Sequence, residues 1–218
     1  MYDNVFFDLD GTLTDSGPGI TNCVMYALER FGIRVERREE LYCFIGPPLM
    51  DSFQRFYGFS EQDARRAVQY YRERYHVTGL FENEVYPGVP EMLEQLRAAG
   101  KRLWVATSKP EALARRVLDH FSLTAAFEGI CGASADDTRT SKGEVIRYAL
   151  ECCGNPPPET VLMAGDRKHD VLGAAECGLD CLGVLYGYGD RAELDGAGAK
   201  YLADSPAEAA LLILSAGN

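Results

Sequence analysis

The sequence predicts an α/β fold: a parallel sheet with helices on both faces, interrupted by an inserted all-helical unit. Two observations predict it. From residue 86 onward, short apolar runs alternate with helix-length amphipathic stretches, the order of repeated βαβ units. Between the first apolar run and that series, residues 19–82 show helical spacing and no strand pattern. A chain of 218 residues, 46% hydrophobic, is long enough for one sizeable core carrying a small second unit.

Each element has its own signal. Val5-Phe6-Phe7 is a short apolar run that meets Asp8-Leu9-Asp10-Gly11, a buried strand ending at a turn. Ile20, Val24, Ala27, Leu28 and Phe31 then line one face of a helix, with Gly32 as its stop. Residues 39–75 read as helical, broken at Pro47-Pro48 and at Tyr57-Gly58, with Ser60 as a cap. Tyr70, Tyr71 and Tyr75 at helical spacing read as packing. The pattern changes at Tyr86-Pro87-Gly88. A helix over 91–99 ends at Gly100, and a strand over 103–106 follows. Next come a helix over 111–121, a strand over 129–131, a helix over 143–153 and a strand over 161–164. A helix over 171–177 and a strand over 181–184 complete the series. Ser205, Pro206 and Glu208 open a final helix. With candidate hinges at 15–19 and 82–88, the core comprises residues 1–16 and 86–218, and the helical insertion 17–85.

Composition excludes several function classes. The net charge is −11, with 22 Lys and Arg against 33 Asp and Glu, so no basic face for a nucleic-acid polymer is expected. The seven cysteines are odd in number and contain no C-x-x-C pair, which argues against a disulfide framework or a zinc site and for reduced thiols. The segment Met1-Tyr2-Asp3-Asn4 has no signal-peptide character, and no apolar run approaches the ~20 residues of a membrane span. The expectation is a soluble cytoplasmic protein with no membrane partner.

Ligands of open parallel sheets bind beyond the carboxyl ends of the strands, and here four apolar runs end in unusual polar groups. In Asp8-Leu9-Asp10-Gly11-Thr12-Leu13, strand alternation would project Asp8 and Asp10 the same way, where they repel unless a cation intervenes. Thr107-Ser108 offers a hydroxyl and backbone N–H groups leading into a helix, a phosphate cradle or an ordinary helix cap. Lys142, near a helix start, is either a surface residue or a cation offsetting carboxylates and phosphate. In Gly165-Asp166-Arg167-Lys168-His169-Asp170, Asp166 ends a buried strand and Asp170 follows at i+4. Hard oxygen donors of this kind suit magnesium. His169 reads as a surface residue.

Together these segments resemble the four motifs of the haloacid dehalogenase superfamily: Asp8 to Leu13, Thr107, Lys142, and Gly165-Asp166 through Asp170. The resemblance spans essentially the whole chain and is nearest to phosphoglycolate-phosphatase-like members, which Val105-Ala106-Thr107-Ser108-Lys109-Pro110 and Ile45-Gly46-Pro47-Pro48-Leu49 also resemble. It implies a Rossmann-like core with an inserted all-α cap and a Mg2+-dependent phosphatase acting on a small phosphorylated metabolite. Asp8 would be the nucleophile and Asp10 the acid and base. Lys142, Thr107 and the amides of Leu9 and Ser108 would hold the phosphoryl oxygens. The metal would lie on Asp8, the Asp10 carbonyl, Asp166 and Asp170. Gly46 would help read the leaving group from the cap. Many relatives carry proline after the third-motif lysine where this chain has Gly143, so Arg139 is a rival to Lys142. Phosphoglycolate is one candidate substrate. A 5'-nucleotidase, a phosphosugar mutase and a non-catalytic binding module are the alternatives, as monomer or homodimer.

Overall fold

The computed structural model describes residues 2–134, 136 and 138–216. The chain divides into two compact units, one of Met1–Thr14 with Val85–Asn218 and one of Asp15–Glu84. Its elements in chain order are β1 (Asn4–Phe7), β2 (Thr14–Asp15), α1 (Gly17–Glu29), α2 (Leu49–Tyr57), α3 (Glu61–Tyr75), β3 (Glu84–Val85), α4 (Val89–Ala98), β4 (Arg102–Pro110) and α5 (Glu111–His120). They continue with β5 (Gly129–Ala133), α6 (Lys142–Cys152), β6 (Val161–Gly165), α7 (Lys168–Glu176), β7 (Asp180–Val184), α8 (Arg191–Ala197), β8 (Tyr201–Ala203) and α9 (Pro206–Ser215).

In the first unit, six strands form a parallel sheet ordered β5-β4-β1-β6-β7-β8. The chain winds from β1 outward through β4 and β5, then returns to β6 on the other side of β1. This reversal of strand order opens the crevice where parallel sheets bind ligands. Burial drives the arrangement. Phe6 is level with Trp104 and Met163 in the register, and these three pack with Val145, Ile146 and Ala149 of α6 and with Val171 and Ala174 of α7. Each such large apolar side chain contributes about 1.5–3 kcal/mol on burial. The same register, Phe7 beside Val105 and Ala164, brings the next residues Asp8, Ala106 and Gly165 level at the sheet's carboxyl edge.

The inserted unit is helical. Ile20, Val24, Ala27 and Leu28 of α1 are buried as the periodicity requires, while Phe31 is half-buried beyond the helix end. Phe44 and Phe53 meet with ring centroids 5.0 Å apart, and Tyr71 and Tyr75 are buried in packing. Gly46, expected to contact substrate, lies in the turn between a 3-10 segment (Arg38–Phe44) and α2, with φ of 102°.

Three sequence expectations need correction. The helix expected from Ile20 begins earlier, with Gly17, Pro18 and Gly19 of the candidate hinge forming the first turn of α1. Proline is tolerated there, and Gly19 is packed so closely that a Cβ would lie 2.0 Å from the Gly79 carbonyl oxygen. The strand expected to stop at Ala106 runs on to Pro110, with a register break after Ala106. Finally, α8 and β8 were not anticipated. Asp190, whose side chain accepts from the Glu193 N–H, was the one available signal for α8.

Candidate active site

Asp8 stands immediately beyond β1, its N–H donated to the Ala164 carbonyl at 2.9 Å, so the backbone of two strands fixes its place. Lys142 approaches from the first turn of α6. Its Nζ lies 2.9 Å from Asp8 Oδ1, 2.8 Å from Asp170 Oδ1 and 3.1 Å from the Ala106 carbonyl oxygen. That turn is fixed by a capping box between Ser141 and Glu144. Arg139, the rival, is occupied elsewhere: its Nε donates to the Gly132 carbonyl at 2.8 Å and its guanidinium covers the Tyr148 ring at 3.7 Å.

Asp166 follows β6 and Asp170 lies in the first turn of α7; both are buried. Two glycines make this possible. A Cβ on Gly165 would come within 2.2 Å of the Asp170 carboxylate carbon, and one on Gly11, which has φ of 85°, within 2.1 Å of Asp166 Oδ2. Ligand atoms of Asp8, Asp166 and Asp170 all lie within 4.8 Å of one another.

The electrostatics follow from this crowding. Burial pushes the Asp8 carboxyl up to about 6, Lys142 opposes the shift and Asp170 adds to it. Asp166 is held well above the ordinary carboxylate range, first by burial and then by Asp170 and Asp8. Burial disfavours the Lys142 ammonium, but Asp170 and Asp8 outweigh it and keep its pKa raised.

A cation fits here. Asp166 Oδ1 is buried without a hydrogen-bond partner, and in a group of three clustered carboxylates the Lys142 ammonium pairs with Asp8 and Asp170 but not with Asp166. An all-oxygen donor set of this kind matches a hard divalent ion such as Mg2+. His169 is half-buried and outside the carboxylate group.

The expected neighbours are partly rearranged. β1 ends at Phe7, so strand alternation does not carry through to Asp10. The Asp10 carboxylate instead meets Lys109, with Nζ 2.7 Å from both oxygens. The Leu9 N–H, expected to receive phosphate, donates to Asp8 Oδ1 at 2.8 Å. Thr107 is buried beside Asp8 and hydrogen-bonds it. Ser108 is half-buried on extended chain rather than at a helix start, and it does not cap α5, whose N-cap position is Pro110. The sequence reading also missed the loop after β7, where the Tyr188 N–H donates to Asp166 Oδ2 at 2.8 Å. There a Cβ on Gly187 would lie 2.4 Å from the Asp166 Cβ. The three glycines at 183, 187 and 189 were the only local hint.

This set of carboxylates at the tips of β1 and β6, joined by a lysine from α6, agrees with a match over residues 5–184 to the haloacid dehalogenase-like hydrolase family. The chain belongs to the haloacid dehalogenase-like hydrolases. This hydrolase is 50% identical over 193 residues to the 5'-nucleotidase of Pseudomonas aeruginosa, covering 88% of this chain and 87% of that protein. It is 44% identical over 185 residues, 85% of its length, to the tyrosine-protein kinase PtkA of Mycobacterium tuberculosis, of which it spans 62%. Among solved structures, a predicted phosphatase from Clostridium acetobutylicum superposes with a TM-score of 0.94 at 45% identity, covering 98% of this chain and 99% of that one.

Proposed function

We propose that this hydrolase is a Mg2+-dependent phosphatase that cleaves a small phosphomonoester through an aspartyl phosphate on Asp8. The observation that carries the proposal is the Asp8 carboxylate beyond β1, paired with Lys142 at 2.9 Å and grouped with Asp166 and Asp170. Asp8 attacks phosphorus, and its new O–P bond replaces the ester O–P bond. Asp10 gives a proton to the leaving oxygen, then takes one from the water that cleaves the aspartyl phosphate. Lys142 and the Thr107 hydroxyl stabilise charge on the transferring oxygens. Asp8, Asp166, Asp170 and the Asp10 carbonyl would hold Mg2+, which when bound neutralises charge between an anionic nucleophile and an anionic substrate.

Nucleoside monophosphates are the first substrate class, because the relative at 50% identity is a 5'-nucleotidase. The phosphoglycolate-phosphatase-like motifs keep phosphoglycolate second. The place of action is the cytoplasm, in keeping with the absence, among the described residues, of any helix long and apolar enough to cross a membrane.

The test is phosphate release from nucleoside monophosphates, phosphoglycolate, sugar phosphates and phosphotyrosine, with Mg2+ or with chelator. Release with Mg2+ that disappears in Asp8→Asn is the expected result. A folded Asp8→Asn variant with near-normal rates would remove Asp8 as nucleophile.

A further inference from the structure

Lys109 has no part in the chemistry above, yet it touches the centre of it. We propose that Lys109 is a positioning residue that holds the Asp10 carboxylate in register for both proton transfers. The proposal rests on the assignment of Asp10 as acid and base.

The geometry is specific. Lys109 Nζ lies 2.7 Å from each Asp10 oxygen, and the lysine side chain is 4% exposed. Asp10 sits beyond the end of β1, on a turn in which Gly11 has φ of 85°. Its one strand-like pairing is an isolated bridge to Thr14, so the six-stranded sheet does not orient its side chain. An ammonium bound to both oxygens restricts carboxylate rotation, and the buried stem restricts the ammonium. A buried lysine is costly unless paired, so packing alone is a poor reason for its presence.

The platform under Lys109 is built for it. The register break after Ala106 changes the course of β4, and the Lys109 N–H donates to Thr107 Oγ1 at 3.2 Å, closing the irregular segment. Gly132 of β5 presses against the same segment, where a Cβ would lie 2.6 Å from the Lys109 carbonyl oxygen and 2.7 Å from the Glu111 nitrogen. The two lysines divide the work: Lys142 serves Asp8 and Asp170, and Lys109 serves Asp10.

In the first step the ester O–P bond breaks as Asp8 bonds phosphorus, and the Asp10 proton passes to the leaving oxygen. In the second, water bonds phosphorus, the Asp8 O–P bond breaks, and the water proton returns to Asp10. One Asp10 oxygen handles the proton while the other stays on Lys109.

The test is a double-mutant cycle of Lys109→Met and Asp10→Asn, read as kcat and KM on an alkyl phosphate and on p-nitrophenyl phosphate, whose leaving group needs no proton. Lys109→Met should lower kcat on the alkyl ester roughly 10- to 100-fold, with a smaller loss on the aryl ester and little change in KM. In the Asp10→Asn background, on the aryl ester, it should cost less than about twofold more. Equal losses in both backgrounds, or a rise in KM with kcat intact, would overturn the proposal. Near-normal alkyl-ester turnover by Asp10→Asn alone would instead refute the assignment of Asp10, and with it the role of Lys109. Lys109→Gln is run beside Lys109→Met with thermal melts; if both lose folding along with activity, Lys109 is structural and the proposal fails.

Discussion

Asp166 shows at residue scale how the site is held ready. One oxygen accepts the Tyr188 N–H at 2.8 Å, and the other is buried without a partner. An unpaired buried carboxylate oxygen costs free energy, and a cation held there would supply its partner. Glycines set the spacing of the acids as firmly as the acids themselves. Gly165→Ala would drive a methyl group into the Asp170 carboxylate, which holds both Lys142 and the Arg167 N–H. The expected result is about 1–3 kcal/mol of destabilisation by urea unfolding, as for other overpacked sites. Weaker Mg2+ binding by calorimetry should accompany it, and wild-type values in both measurements would show that the carboxylate has room to move.

At the scale of elements, two kinds of device support the site. β4 carries a bulge where its polar residues begin, so Thr107 and Lys109 reach different aspartates from one strand. Helices α6, α8 and α9 begin at side-chain caps, from Ser141, Asp190 and Ser205. In the inserted unit the chain after α3 is tied back by Arg74, whose guanidinium contacts both Glu82 oxygens at 2.6 and 2.8 Å. This pair holds the Glu82 carboxyl below its ordinary value of 4.5, chiefly through the Arg74 hydrogen bonds and despite partial burial. A depressed carboxyl adds stability that is complete above the unfolded-state value and disappears as pH falls through the folded-state value. The stability gap between wild type and Glu82→Gln should thus be constant above about pH 5 and shrink toward pH 3. Urea titrations of both proteins across that range provide the check; a gap independent of pH would mean the ion pair contributes nothing.

At the scale of the whole molecule, strand order decides which residues meet. The reversal at β1 sets the carboxyl edges of β4, β1 and β6 side by side, and α6 and α7 bring in Lys142 and Asp170. A ligand that binds only this assembled state must raise the melting temperature. Mg2+ with beryllium fluoride, a phosphate mimic, at ~100 times its dissociation constant should add about 2.7 kcal/mol, or roughly 5–10 °C. Asp166→Ala should abolish the shift in a differential scanning measurement. An equal shift in that variant would place the cation elsewhere.

The short strands and their polar ends were legible because burial of a central parallel strand leaves a local mark: an apolar run that stops where chemistry begins. Asp8, Thr107, Lys142, Asp166 and Asp170 were picked out as candidates in this way and lie together in the fold, and Ser60 and Ser205 were readable as caps because capping spans only a few residues. What the local pattern did not contain was pairing across the fold. Lys109 and Asp10 are 99 residues apart in the chain, and Tyr188 is 22 from Asp166. The three-residue β8 and seven-residue α8 are too short to show a period, and they exist through their tertiary contacts. The sequence by itself thus determined the family, the parallel strands from β1 to β7 that build the core sheet, and the candidate carboxylates. The tertiary structure decided which lysine serves which aspartate and which loop supports Asp166, because those choices depend on strand order, register and close packing against glycine.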